Sequence, residues 1–138
     1  MLLTGKFAHY LSVSRTNFKI AVKTVWGFGY IRLYLLIAAV VNLLDWIGSW
    51  LLYRAIGPNL TVLHYNVDFG IDLVGQRQKL FLNPTIGLTF IILDFLFLLL
   101  WTKQKNLGFV ANVLLVSAIL INALLLLALL AVYLINFR

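Results

Sequence analysis

Three long apolar runs, divided by one mixed loop and one tight polar turn, organise the chain. The first runs from about Tyr30 to Tyr53 (core IRLYLLIAAVVNLLDWIGSWLLY), the second from Pro84 to Trp101, and the third from Phe109 to Phe137. A membrane-spanning helix needs about 20 apolar residues, and the first and third runs exceed that. The second holds about 16 strongly apolar residues, roughly 24 Å of helix, so it spans only if Leu80, Phe81 and Leu82 sit at the interface or the bilayer thins. Asn83 is read as the N-cap of this run and Pro84 as its first helical residue. The pattern therefore predicts an all-α membrane protein with three transmembrane helices at 30–53, 84–101 and 109–137, joined by a loop at 54–83 and a turn at 102–107.

Residues 1–28 carry a different pattern. At about 100° per residue Phe7, Leu11, Phe18, Val22 and Val25 fall on one arc, with Arg15, Lys19 and Lys23 on the arc beside it. An apolar arc flanked by a basic one predicts an amphipathic helix in the membrane interface. Arg15, Lys19 and Lys23 then face lipid headgroups, either as a docking surface or as a topological anchor. No spanning-length run or small-residue cleavage site occurs in this stretch, so no signal peptide is expected. The expected division is thus a basic segment over 1–28 and a membrane domain over 29–138.

The loop has a period of its own. Gly57-Pro58-Asn59 signals a turn. From His64 to Phe69 polar and apolar positions alternate strictly, the period of a strand with one wet face. A strand or short hairpin on the membrane surface fits this pattern, although a lone hairpin is marginal unless it packs on helices or on a partner.

Composition agrees with the pattern. Of 138 residues 63% are hydrophobic and 11% charged, and mean hydropathy is +1.01. Soluble domains are about 45–50% apolar and about 25% charged. A soluble domain, a disordered chain and a nucleic-acid-binding module are excluded on these grounds, and the length leaves no space for a separate soluble catalytic domain among three spans. Net charge is +7. The basic residues flank the apolar runs, where they set topology and touch anionic lipid. Lys6, Arg15, Lys19, Lys23, Arg32, Lys103 and Lys105 lie on one side; Arg54, Arg77, Lys79 and Arg138 lie on the other. The bias favours a cytoplasmic N-terminus and an external 54–83 loop, with the bacterial cytoplasmic membrane as the expected location. There is no cysteine, which excludes disulfides, thiolate metal sites and cysteine nucleophiles.

Two constellations carry chemistry. The first is intramembrane. Asn42, Asp45 and Ser49 share one stripe of the first span, Asp94 lies one heptad after Gly87 on the second, and Asn122 shares a stripe with Ala111 and Ala118 on the third. A carboxylate in lipid is costly unless paired, protonated or hydrated, while small and polar stripes are how membrane helices associate. Counting rise from the N-terminal side, Asp45 and Asn122 fall at similar depths of about 20 Å and are placed to hydrogen-bond. Asp94 is nearer that side, with Ser117 or a lifted Arg32 as expected partners. The stripe reads either as interhelical glue or as a proton or cation path. The second constellation is His64, Asn66, Asp68 and Asp72, which on one strand share a face. It reads as a partner-contact surface or, less specifically, as a site for zinc, manganese or acid–base work. Asn59-Leu60-Thr61 fits a glycosylation sequon. No phosphate loop, nucleophile elbow or zinc-protease motif is present.

Leu63-His64-Tyr65-Asn66, then Phe69-Gly70-Ile71-Asp72-Leu73 and Gly75, followed by Pro84 and two spans, resembles one family. It comprises small uncharacterised three-span membrane proteins of reduced-genome bacteria of the candidate phyla radiation, with an LHYN–FGID-like segment between spans 1 and 2. The likeness covers about residues 60–135 and does not extend to the N-terminal segment. Asp68 departs from the pattern, which has an aromatic or apolar residue there. The resemblance implies the three-span topology and the importance of residues 63–75; it implies no activity and no cofactor.

The expectation is therefore a non-enzymatic accessory or assembly subunit, whose partners are membrane lipid and another membrane protein or a second copy. His64, Tyr65, Asn66, Phe69 and Asp72 would make its recognition surface. The alternative is a small oligomeric channel or proton-coupled transporter using Asp45 and Asp94. A metal-dependent membrane enzyme using His64, Asp68 and Asp72 is a third reading.

Overall fold

A computed structural model describes residues 17–57, 61–66 and 70–137. Helix α1 occupies residues 17–27 and ends at Phe28, whose extended backbone (φ −83°, ψ 115°) turns the chain into α2, Gly29–Ala55. The strands β1 (Thr61–Asn66) and β2 (Gly70–Gly75) follow, then a short 3-10 helix, Arg77–Phe81. Helix α3 covers Leu82–Trp101 and α4 covers Leu107–Phe137. Among the described residues three helices are long and apolar enough to cross a membrane: Gly29–Ala55, the helical stretch Arg77–Trp101, and Leu107–Phe137. Wide outward faces of Leu, Ile, Val and Phe remain exposed on all three, a surface that only lipid or another apolar chain covers at low cost. These are the features of an integral membrane protein.

Each spanning helix buries one narrow seam. On α2 it is Ile31, Ala38, Asn42, Asp45, Ser49 and Leu52, spaced by three, four or seven residues. On α4 it runs from Leu107 through Ala111, Leu115, Ala118 and Asn122 to Leu129 and Val132. That spacing keeps a single stripe facing the neighbours. Along the bundle axis the seam has three layers. At the end that carries α1, Val25, Ile31, Leu98, Leu99, Leu107, Ala111 and Leu115 form an apolar cluster. At the hairpin end, Leu52, Leu80, Leu129 and Val132 form another, joined by Tyr53, Ile56 and Leu63. Between them lies a polar layer.

The second span differs from the sequence reading at its start. Asn83 is not an N-cap: α3 continues directly from the 3-10 turn, its cap position is Phe81, and the Asn83 amide instead donates to the Leu125 carbonyl at 3.5 Å. Pro84 is still in the first turn, where a missing N–H costs nothing. The added residues bring α3 to 20, about 30 Å, so no bilayer thinning is needed. The strand is also shifted. The alternation at 64–69 is not one strand: β1 ends at Asn66, residues 67–69 lie outside the described residues, and β2 returns antiparallel from Gly70. The pairing is irregular on both sides of His64.

Candidate functional site: a polar layer and a clamped hairpin

Asn42 and Asn122 sit at the midpoints of α2 and α4. The Asn42 amide donates to the Asn122 side-chain oxygen at 2.9 Å and to the Pro84 carbonyl at 2.9 Å. Asn122 in turn donates to the Ala118 carbonyl at 2.8 Å and the Gly87 carbonyl at 3.4 Å. All three helices are thereby tied at one level. Gly87 makes the closeness possible: a Cβ there would lie 2.8 Å from the Asn42 amide nitrogen and still nearer the Asn122 oxygen. Toward the hairpin, the Ser49 hydroxyl donates to the Leu80 carbonyl at 3.1 Å.

Asp45 lies on the same seam, one turn from both Asn42 and Ser49, and is fully buried. Neither of its carboxyl oxygens has a hydrogen-bond partner. The expected Asp45–Asn122 bond is therefore corrected: Asn42 has taken that partner. The expected Asp94–Ser117 bond is absent too, because the Ser117 hydroxyl turns back to the Leu114 carbonyl at 2.7 Å, and Oδ2 of Asp94 is buried without a partner. Arg32 is exposed, not lifted into the seam. Short hydroxyls bond their own helix readily, which explains the Ser117 choice.

At the hairpin end, Leu63 packs into the apolar cluster and one polar side chain bonds the β1 backbone to the bundle. Oδ1 of Asn136, in the last turn of α4, accepts the Val62 N–H at 3.1 Å, and its amide donates to the Val62 carbonyl at 2.8 Å. The primary amide thus pairs with β1 as a neighbouring strand would. Arg77 seals the end of α2, donating to the Tyr53 and Ile56 carbonyls at 3.4 and 3.1 Å while lying over the Tyr53 ring. Those carbonyls are left without helical donors at a helix C-terminus. Neither Asn136 nor Arg77 stood out in the sequence, since a polar residue near a span end reads as ordinary interface composition.

The hairpin divides the second constellation. His64, Tyr65 and Asn66 are on β1 and Asp72 is on β2, so they do not share a face of one strand. Phe69 and Asp68 lie outside the described residues, as do Arg15 and the asparagine of the glycosylation sequon. Among the described residues no three His, Cys, Asp or Glu side chains gather as a metal site would need. Lys19 and Lys23 are exposed on α1, while Val25 on its other side is fully buried and Phe18 is exposed.

No protein-family model, curated protein or solved structure matches the chain. The geometry of the polar layer and of the hairpin is what any functional reading must rest on.

Proposed function

We propose that the chain is a non-enzymatic accessory or assembly subunit of a membrane complex, and that its hairpin recognises the partner. The observation that carries this reading is the asymmetry of the two strands. β1 is anchored by Asn136 and by Leu63 in the apolar cluster, whereas the outer edge of β2 pairs with no strand among the described residues. Leu73 and Val74 on β2 are about half exposed. An open strand edge is a template for an added strand, and here the template is held at a fixed height on the bundle. His64, Tyr65, Asn66, Phe69 and Asp72 would supply side-chain selectivity. The excess of basic residues at the opposite end favours a hairpin on the external side of a bacterial cytoplasmic membrane, where an external partner would reach it.

A photo-crosslinking residue at Leu73 or Val74, activated in native membranes, tests the proposal. A protein adduct of defined mass is expected there, with none from the same residue at the outward-facing Leu124. An adduct of the chain's own mass identifies a second copy as the partner. Absence of any protein adduct overturns the reading.

The unpaired oxygens of Asp45 favour a second reading, a small oligomeric channel or proton-coupled transporter with Asp45 and Asp94 on its path. Proton flux in vesicles that is lost in Asp45→Asn and Asp94→Asn would establish it.

A further inference from the structure

At the end opposite the hairpin, α1 does not pack flush against α3. A cleft of about 530 Å³ opens between them, walled by Phe18 and Ala21 of α1 and by Leu96 and Leu99 of α3, with Asn17 and Lys103 at its mouth. Leu96 also lines a second, smaller groove lower on α3, bounded by Trp26, Ile92 and Phe95. From Ile91 to the end of α3 at Trp101 these walls follow about 15 Å of helix, the depth of one leaflet's hydrocarbon. The walls are apolar along this length, and the polar groups are confined to the mouth.

Charge identifies the occupant. The four acids of the chain are Asp45, Asp68, Asp72 and Asp94. At this end, therefore, α1, the adjoining half of α2, the last turn of α3 and the turn at 102–106 contain no carboxylate at all. Lys19, Lys23, Arg32, Lys103 and Lys105 are all exposed here. A groove that is apolar below, with the Lys103 ammonium at its mouth and no acid among its lining residues, matches a molecule with a hydrocarbon tail and an anionic head. A zwitterionic lipid would satisfy the walls and leave the rim unneutralised.

We propose that this cleft holds one anionic phospholipid of the surrounding bilayer, its acyl chain against Ala21, Leu96 and Leu99 and its phosphate against Lys103. The bound lipid fills the gap between α1 and α3 and so completes the packing of the N-terminal helix on the bundle.

The test is lipid retention by the full chain, purified from mixed phosphatidylglycerol and phosphatidylcholine and read by native mass spectrometry. Wild type is expected to keep one phosphatidylglycerol in preference to phosphatidylcholine. Lys103→Gln removes the rim charge and should weaken retention about fivefold, the effect of one basic residue near an anionic surface. Leu96→Trp fills the groove from an exposed position and should also abolish retention, while α-helical content stays unchanged by circular dichroism. Lys105→Gln removes the same charge from the neighbouring turn and should leave the bound lipid in place. Equal losses in Lys103→Gln and Lys105→Gln would reduce the effect to general attraction and overturn the site. Undiminished retention in Leu96→Trp, or equal retention of the two lipids by wild type, would overturn it as well.

Discussion

Asn42 donates to Asn122 at 2.9 Å, and each is the central residue of its own helix. The bundle is thus tied midway along both helices. Interhelical hydrogen bonds in membranes contribute about 0.6–2 kcal/mol, and here the pair also engages two carbonyls of α3. Asn122→Leu should lower the thermal midpoint in detergent by a corresponding amount. Gly87→Ala should lower the midpoint further, through a stability loss of about 1–3 kcal/mol, because its methyl group meets both amides. In Asn122→Ala the space for that methyl is vacated. The double variant Gly87→Ala, Asn122→Ala should therefore lose less than the sum of the single losses, and strict additivity would show that the two sites do not touch.

The existence of this layer was legible in the sequence, and its pairing was not. Asn42, Asp45 and Ser49 at spacings of three and four mark the inward stripe of α2, and Asn122 among alanines marks that of α4. Depth counting pairs Asp45 with Asn122, but Asn42 lies within one turn of Asp45, too close for a rise of about 1.5 Å per residue to choose between them. The close approach of α3 at Gly87, where a Cβ would meet both asparagine amides, puts the bonded layer at the level of Asn42. The hairpin was half legible for a similar reason. Alternation reveals an extended backbone without showing where it reverses, and here it continues through residues 67–69, between the two strands. The clamp by Asn136 joins residues 74 positions apart and leaves no local signature.

Asp45 gives the opposite expectation from Asn122. Its carboxyl is buried with no hydrogen bond, and an unsatisfied buried polar group costs about 1–3 kcal/mol. Asp45→Leu fills similar space without that cost. It should melt at the same temperature as wild type or higher, provided the carboxyl has no other task. A clear fall in the midpoint would show that the native carboxyl holds a proton donor or a cation that stabilises the fold, which is the property the transport reading requires.

The hairpin should loosen independently of the bundle. Asn136→Ala removes both bonds to Val62, each contributing about 1 kcal/mol. Amide hydrogen exchange at Val62 should then accelerate by about thirtyfold, while the central turns of α2 and α4 keep their protection. Crosslinking from Leu73 should weaken in the same variant, because the strand edge is no longer held in register with the bundle. If exchange accelerates throughout α4 instead, Asn136 supports the helix end and not the strand.

The orientation expected from the positive-inside rule rests on where the uncommitted charge lies. At the hairpin end two of the described cations are engaged with protein: Arg77 caps α2, and Arg54 lies 4.1 Å from the Trp50 ring centroid. Lys79 remains. At the other end Lys19, Lys23, Arg32, Lys103 and Lys105 are exposed, and basic residues near span ends are retained on the cytoplasmic side. The chain has no cysteine, so a single introduced thiol reports its own position without background. Gln76→Cys beside the hairpin and Gln104→Cys in the turn between α3 and α4 are both exposed. In intact spheroplasts a membrane-impermeant maleimide should label Gln76→Cys at once. It should reach Gln104→Cys only after the membrane is opened. The reverse pattern would place the hairpin in the cytoplasm and would require its partner there.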